Sequence, residues 1–201
     1  MLDGALKPKL DPFLTVVGKR LAGAGITANT VTIVGLAIGL LAAGAIWTQY
    51  YGLALALLLV SRICDGLDGA VARATSSSDY GGYLDIVLDF AFYGAIPLGF
   101  VLADPSANAV AGAVLIFSFY LNGASFLAFA IMAEKHDLTT DKRGPKSFFF
   151  STGLTEATET IVVFVLFCLF PAWFPVIAYI FAALVFYTAI SRIVITGRTL
   201  N

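Results

Sequence analysis

The chain has 201 residues, of which 59% are hydrophobic and 12% charged, about half the charged fraction of a typical soluble domain. That is more apolar surface than one core of this size can hide, which argues against a water-soluble monomer and places part of the surface in lipid. Twelve basic and thirteen acidic residues give a net charge of −1, and with no basic block among them nucleic acid is excluded as a partner.

The opening segment, MLDGALKPKLDPF, is too polar for a secretory signal peptide, so insertion is expected to use the mature spans. Asp11-Pro12 reads as an N-cap and first helical position, and Phe13, Val17 and Leu21 share one face of the helix that follows. Residues 1–26 are therefore read as an interfacial arm on the cytoplasmic leaflet, the alternative being a frayed polar arm. Thr27, Asn29 and Thr30 offer capping oxygens for the next helix.

Apolar runs long enough to cross about 30 Å of hydrocarbon then recur near 30–48, 52–73, 82–103, 108–133, 154–172 and 174–194. Helices are the only open-ended elements that satisfy their own backbone in lipid. The reading is an all-α integral membrane protein, one domain over 1–201, with six transmembrane helices over 27–201 behind the interfacial helix. All twelve Lys and Arg residues fall in the N-terminal arm, at the C-terminal end of the second span, in the 4–5 loop or near the C-terminus; the loops near 49–52, 104–108 and 172–174 have none. By the positive-inside rule both termini are cytoplasmic, as an even number of crossings requires. Cys64 and Cys168 sit in apolar stretches and read as small buried hydrophobes, and a single histidine, His136, does not support a zinc site.

Spans 2 and 3 break the apolar pattern. Asp65 and Asp68 stand three apart near the end of span 2, and Asp85 and Asp89 four apart near the start of span 3, so each pair shares a helix face. By rise alone Asp65 lies about 12 Å from Arg73, and Asp89 a similar distance from Gly81, which puts all four acids at comparable depth below the cytoplasmic surface. Charge at that depth costs several kcal/mol and demands a reason. Arg62 and Arg73 can neutralise only two of the four. Hard carboxylate donors without His or Cys suit Mg²⁺ or Mn²⁺, and four are enough to bridge two ions. Two such ions beside a strip of Gly69 and Ala72 make a site for a diphosphate.

This stretch resembles the signature of the CDP-alcohol phosphotransferase family, Asp-x-x-Asp-Gly-x-x-Ala-Arg followed by Gly-x-x-x-Asp-x-x-x-Asp. Asp65, Asp68, Gly69, Ala72, Arg73, Gly81, Asp85 and Asp89 fill every position. The resemblance implies transfer of a substituted phosphoryl group, phosphatidyl where the donor is CDP-diacylglycerol, from a CDP-alcohol to a small acceptor alcohol with release of CMP, in phospholipid biosynthesis at the cell inner membrane. It implies that Asp65, Asp68, Asp85 and Asp89 hold the metal, with Asp89 as general base and Asp85 beside it as a catalytic group. It further implies that Asp65, Gly69, Ala72, Arg73 and Gly81 border the cytidine diphosphate, and that the protein is a homodimer; Gly35 and Gly39 supply a GxxxG pattern in span 1.

The acceptor is left open. Lys135, Lys142, Arg143, Lys146 and Arg192 are candidates to hold an acceptor phosphate, whereas Phe90, where some inositol-phosphate enzymes of the family carry Arg, speaks against that specificity. Glu156 and Glu159 either face the same cavity, favouring a hydroxyl-rich or amine-bearing acceptor, or sit as dipole-favoured acids at a helix start. Asn122 is either an interhelical hydrogen bond or a cavity-lining group. The competing function is a divalent-cation transporter or channel using the intramembrane carboxylates, which accounts for the acids but not for Gly69, Ala72 and Arg73 at their spacing.

Overall fold

A helix over Asp3–Gly23 (α1) opens the chain, beginning well before the Asp11-Pro12 start expected from sequence. Pro12 removes the hydrogen bond to the Pro8 carbonyl and its ring crowds that carbonyl, yet the helix continues through both. Asp11 is thus inside α1 and caps nothing; its carboxylate instead meets Arg73 at 3.7 Å. The inward face is also rotated from the expected one. Gly18 is buried, and a Cβ there would lie 2.8 Å from the Ala70 Cβ, whereas Phe13 and Val16 are exposed and free to meet lipid headgroups and acyl chains.

The computed structural model describes residues 3–136 and 157–200. The Thr27 hydroxyl accepts the Thr30 amide at 3.2 Å and starts Ala28–Trp47 (α2), as the capping oxygens predict. Tyr51–Ala74 (α3), Asp79–Ala103 (α4) and Pro105–Lys135 (α5) follow, then Ala157–Leu169 (α6), a 3₁₀ turn at Pro171–Trp173, and Phe174–Leu200 (α7). The described residues contain no strand. Four helical segments, 28–47, 79–103, 105–135 and 171–198, are long and apolar enough to cross a membrane. The 24 residues of α3 also reach about 36 Å, but Arg62, Asp65, Asp68 and Arg73 fill its second half. The 13 described residues of α6 cover about 20 Å. Lys142, Arg143, Lys146 and Glu156 lie outside the described residues.

Small residues let the first helices approach and large aromatics fill the far half of the bundle. A Cβ on Gly35 would meet the Cys64 Cβ at 3.0 Å, and one on Gly39 would meet the Phe92 ring at 2.6 Å. The GxxxG pair of α2 is therefore consumed inside the chain, against α3 and α4, and does not offer a seam to a second copy. Phe92 and Phe100 of α4, Phe164 and Phe167 of α6 and Phe174 of α7 are fully buried. Phe174 stacks on Phe100 with ring centroids 4.7 Å apart and tilts against Phe167 at 4.7 Å. Leu41, Val110, Ile131 and Ile180 are exposed on the outer surface, where a lipid-facing side chain belongs.

Asp104 caps α5, accepting the Ala107 amide at 3.1 Å and the Ser106 hydroxyl at 2.6 Å. These bonds, the Ser106 hydroxyl foremost, hold its carboxyl below the usual carboxylate range. A lowered folded-state value stabilises above the unfolded-state pKa and is lost as pH falls through the folded one. Asp104→Ala is expected to lower the detergent-solubilised melting temperature at pH 7, and the gap to wild type is expected to shrink on acidification below pH ~4; thermal melts at the two pH values check it.

Candidate active site

The site grows from where α3 ends and α4 begins. Ser78 accepts the Gly81 amide at 3.1 Å to cap α4, and a Cβ on Gly81 would stand 3.1 Å from the Asn29 amide oxygen. Glycine there lets the start of α4 lie close to the start of α2. Antiparallel passage of α3 and α4 then brings the two acid pairs together. One carboxylate oxygen each of Asp65, Asp68 and Asp85 lies within 4.8 Å of the others.

These three line an open pocket together with Asp89, Arg62, Ser61 and Thr32. Asp68 is buried, and its Oδ2 has no hydrogen-bond partner. A carboxylate oxygen withdrawn from water without a partner is costly, and three such groups at this separation repel unless a cation joins them. The donor set is all oxygen and anionic, which fits Mg²⁺ or Mn²⁺.

Asp89 lines the same pocket but stands outside that triad: its Oδ1 accepts Arg62 Nη1 at 2.9 Å, and the same nitrogen donates to Asp65 Oδ1 at 3.2 Å. The Arg62 guanidinium lies over the Phe92 ring, 3.6 Å from its centroid, and Nη2 donates to the Ser61 hydroxyl at 3.3 Å. Ser61 in turn donates to the Gly35 carbonyl at 2.8 Å. In the sequence Arg62 stands out only as a neutralising charge. Its spacing of three from Asp65 was the available signal for a direct bond, but its reach to Asp89 depends on how α4 packs.

The remaining signature residues, Gly69, Ala72, Arg73 and Gly81, lie outside that lining. Gly69 and Ala72 are half-buried, and a Cβ on Gly69 would meet only the Arg73 guanidinium, at 3.4 Å. Arg73 is turned toward α1, paired with Asp11 at 3.7 Å with 59% of its side chain exposed, a contact of small energetic weight. Among the acceptor candidates, Lys135 and Arg192 fall within α5 and α7, and Glu159 in the first turn of α6. Arg192 Nη1 donates to the Asn122 backbone and side-chain oxygens, both at 3.0 Å, and to the Ser125 hydroxyl at 2.7 Å. Asn122 is thus an interhelical hydrogen-bond partner, tying α5 to α7. The Phe90 side chain is packed against Gly123 of α5.

The sequence matches the CDP-alcohol phosphatidyltransferase family over residues 25–191. It is 49% identical to the inner membrane protein YnjF of Escherichia coli across 96% of this chain and 94% of that protein. It is 45% identical to archaetidylinositol phosphate synthase of Pyrococcus horikoshii over 85 residues, which is 42% of this chain and 45% of that one. The fold resembles that of phosphatidylinositol phosphate synthase of Mycobacterium tuberculosis. The CDP-DAG-bound structure superposes with a TM-score of 0.71 at 19% identity, covering 91% of this chain and 92% of that one. The complex with manganese and citrate gives 0.73 at 18% identity, covering 92% and 88%. The chain belongs to the CDP-alcohol phosphatidyltransferase family and is an integral membrane transferase of phospholipid biosynthesis.

Proposed function

We propose that the protein transfers a phosphatidyl group from CDP-diacylglycerol to a small acceptor alcohol and releases CMP. The observation that carries this reading is the convergence of Asp65, Asp68 and Asp85 within 4.8 Å in a pocket that also holds Asp89, on a chain of this family. Asp65, Asp68, Asp85 and Asp89 would hold Mg²⁺ or Mn²⁺, two ions when the donor is bound. Bound metal would polarise the phosphoryl oxygens and offset charge on the phosphate being transferred.

The chain's own groups do the rest. Gly69 and Ala72 leave room along α3 for the diphosphate, Gly81 borders the same opening, and Arg73 is free to swing from its exposed partner Asp11 toward an anionic donor. Asp89 accepts the proton of the acceptor hydroxyl as its oxygen bonds to phosphorus and the bond from phosphorus to the CMP oxygen breaks. The basic residues gathered at one side of the spans support six crossings, cytoplasmic termini and a cytoplasmic active site. The protein is proposed to act as a homodimer through a surface other than the Gly35 and Gly39 face. The exposed rows on the outer helices supply apolar area for a second copy as well as for lipid.

Purified protein is expected to release CMP from CDP-diacylglycerol only with Mg²⁺ or Mn²⁺ present, and to stop on chelation. Screening inositol, inositol phosphate, glycerol phosphate, serine and choline, with product lipid read by mass, identifies the acceptor. Absence of CMP release with every acceptor, together with cation flux in liposomes, would instead establish a transporter.

A further inference from the structure

Arg62 is held in the pocket from several sides. Its side chain is only 9% exposed, its guanidinium rests on Phe92, and Ser61, itself anchored to Gly35, takes Nη2. Nη1 bridges Asp65 and Asp89 at 3.2 and 2.9 Å. The positive charge therefore stands between one member of the acid triad and the one acid outside it, a place that a second metal ion would otherwise take.

Charge decides what the pocket can accept. Four carboxylates and Arg62 sum to −3, so one divalent ion leaves −1 and a second leaves +1 around a guanidinium whose side chain is only 9% exposed, where an uncompensated positive charge is expensive. A pyrophosphate diester brings one negative charge on each phosphate, which returns the two-ion state to −1.

Building on the reading of this pocket as the metal and donor site, we propose that Arg62 is a positioning residue that acts as a fixed counter-cation. It holds Asp89 against Asp65 and limits the donor-free pocket to one divalent ion on Asp65, Asp68 and Asp85; the second ion enters only with the donor diphosphate. Binding order follows from this: first ion, then donor with the second ion. Arg62 also keeps Asp89 beside the triad and not within it until the donor arrives.

Mn²⁺ titration of the purified full chain, with free Mn²⁺ read by electron paramagnetic resonance, tests the proposal. Wild type is expected to bind one Mn²⁺ per chain alone and two with CDP-diacylglycerol in mixed micelles. Arg62→Gln is expected to bind two without donor, Arg62→Lys one, and Asp89→Asn one under both conditions. Two ions on donor-free wild type, one ion on folded Arg62→Gln, or no second ion when donor is added would each overturn the role of Arg62. Should Arg62→Gln fail to fold, the wild-type pair of titrations and Asp89→Asn still decide. A wild type that binds no Mn²⁺ in either condition would reject the metal-site reading itself, a separate outcome.

Discussion

Asp89→Asn is expected to lower kcat for CMP release by about 10²–10⁴, the usual contribution of a positioned proton acceptor, while the donor-free protein still takes up its first Mn²⁺. The two effects separate because Asp89 lies outside the triad whose oxygens approach within 4.8 Å and is bonded to Arg62 at 2.9 Å. Asparagine preserves the size of the side chain and an oxygen for Arg62, so the helix packing is expected to survive. Asp68→Asn should behave differently: its buried Oδ2 has no partner, and an amide there is a poor ligand for a hard cation, so both Mn²⁺ binding and CMP release are expected to fail. Steady-state kinetics alongside Mn²⁺ titration distinguish the pair. Undiminished CMP release in Asp89→Asn would remove Asp89 from proton transfer.

Gly39→Val is expected to damage stability and activity together, although Gly39 is absent from the eight signature positions. A Cβ at Gly39 would press on the Phe92 ring at 2.6 Å and the Ser61 hydroxyl at 3.0 Å, and these are the two groups on which the Arg62 guanidinium rests. Overpacking of this kind costs about 1–3 kcal/mol, and a displacement on the order of 1 Å at the reacting groups can cost about 100-fold in rate. Gly44→Ala on the same helix is the control, since a Cβ there meets nothing within 4 Å, and alanine favours a helix over glycine. Melting curves and CMP release measured on both variants check the contrast. Equal activity in the two would show that the α2 contact does not reach the site.

The packing of α1 extends the same principle of close approach. Gly18 against Ala70 and Leu14 against Gly66 lay the helix over the signature half of α3, so a segment that looks peripheral in sequence borders the active helix. Its Phe13 and Val16 face outward, and the interfacial role proposed for this arm would set them against lipid headgroups. The rotation from the expected face arises because the deciding contact is made by Gly18, a residue with no hydropathy to register on a helical wheel.

Composition and pattern were sufficient for the membrane class, for the positions of α2 to α5 within a few residues, and for the acid cluster, because each follows from local spacing. Length of apolar run decides whether a helix spans, and offsets of three and four put Asp65 with Asp68 and Asp85 with Asp89 on common faces. Three outcomes needed the tertiary structure. Gly35 and Gly39 face α3 and α4 inside the chain, Asn122 serves Arg192 across 70 residues of sequence, and Asp89 is claimed by Arg62 across 27. In each case the deciding distance lies between helices, and periodicity along one helix carries no information about which neighbour its face will meet.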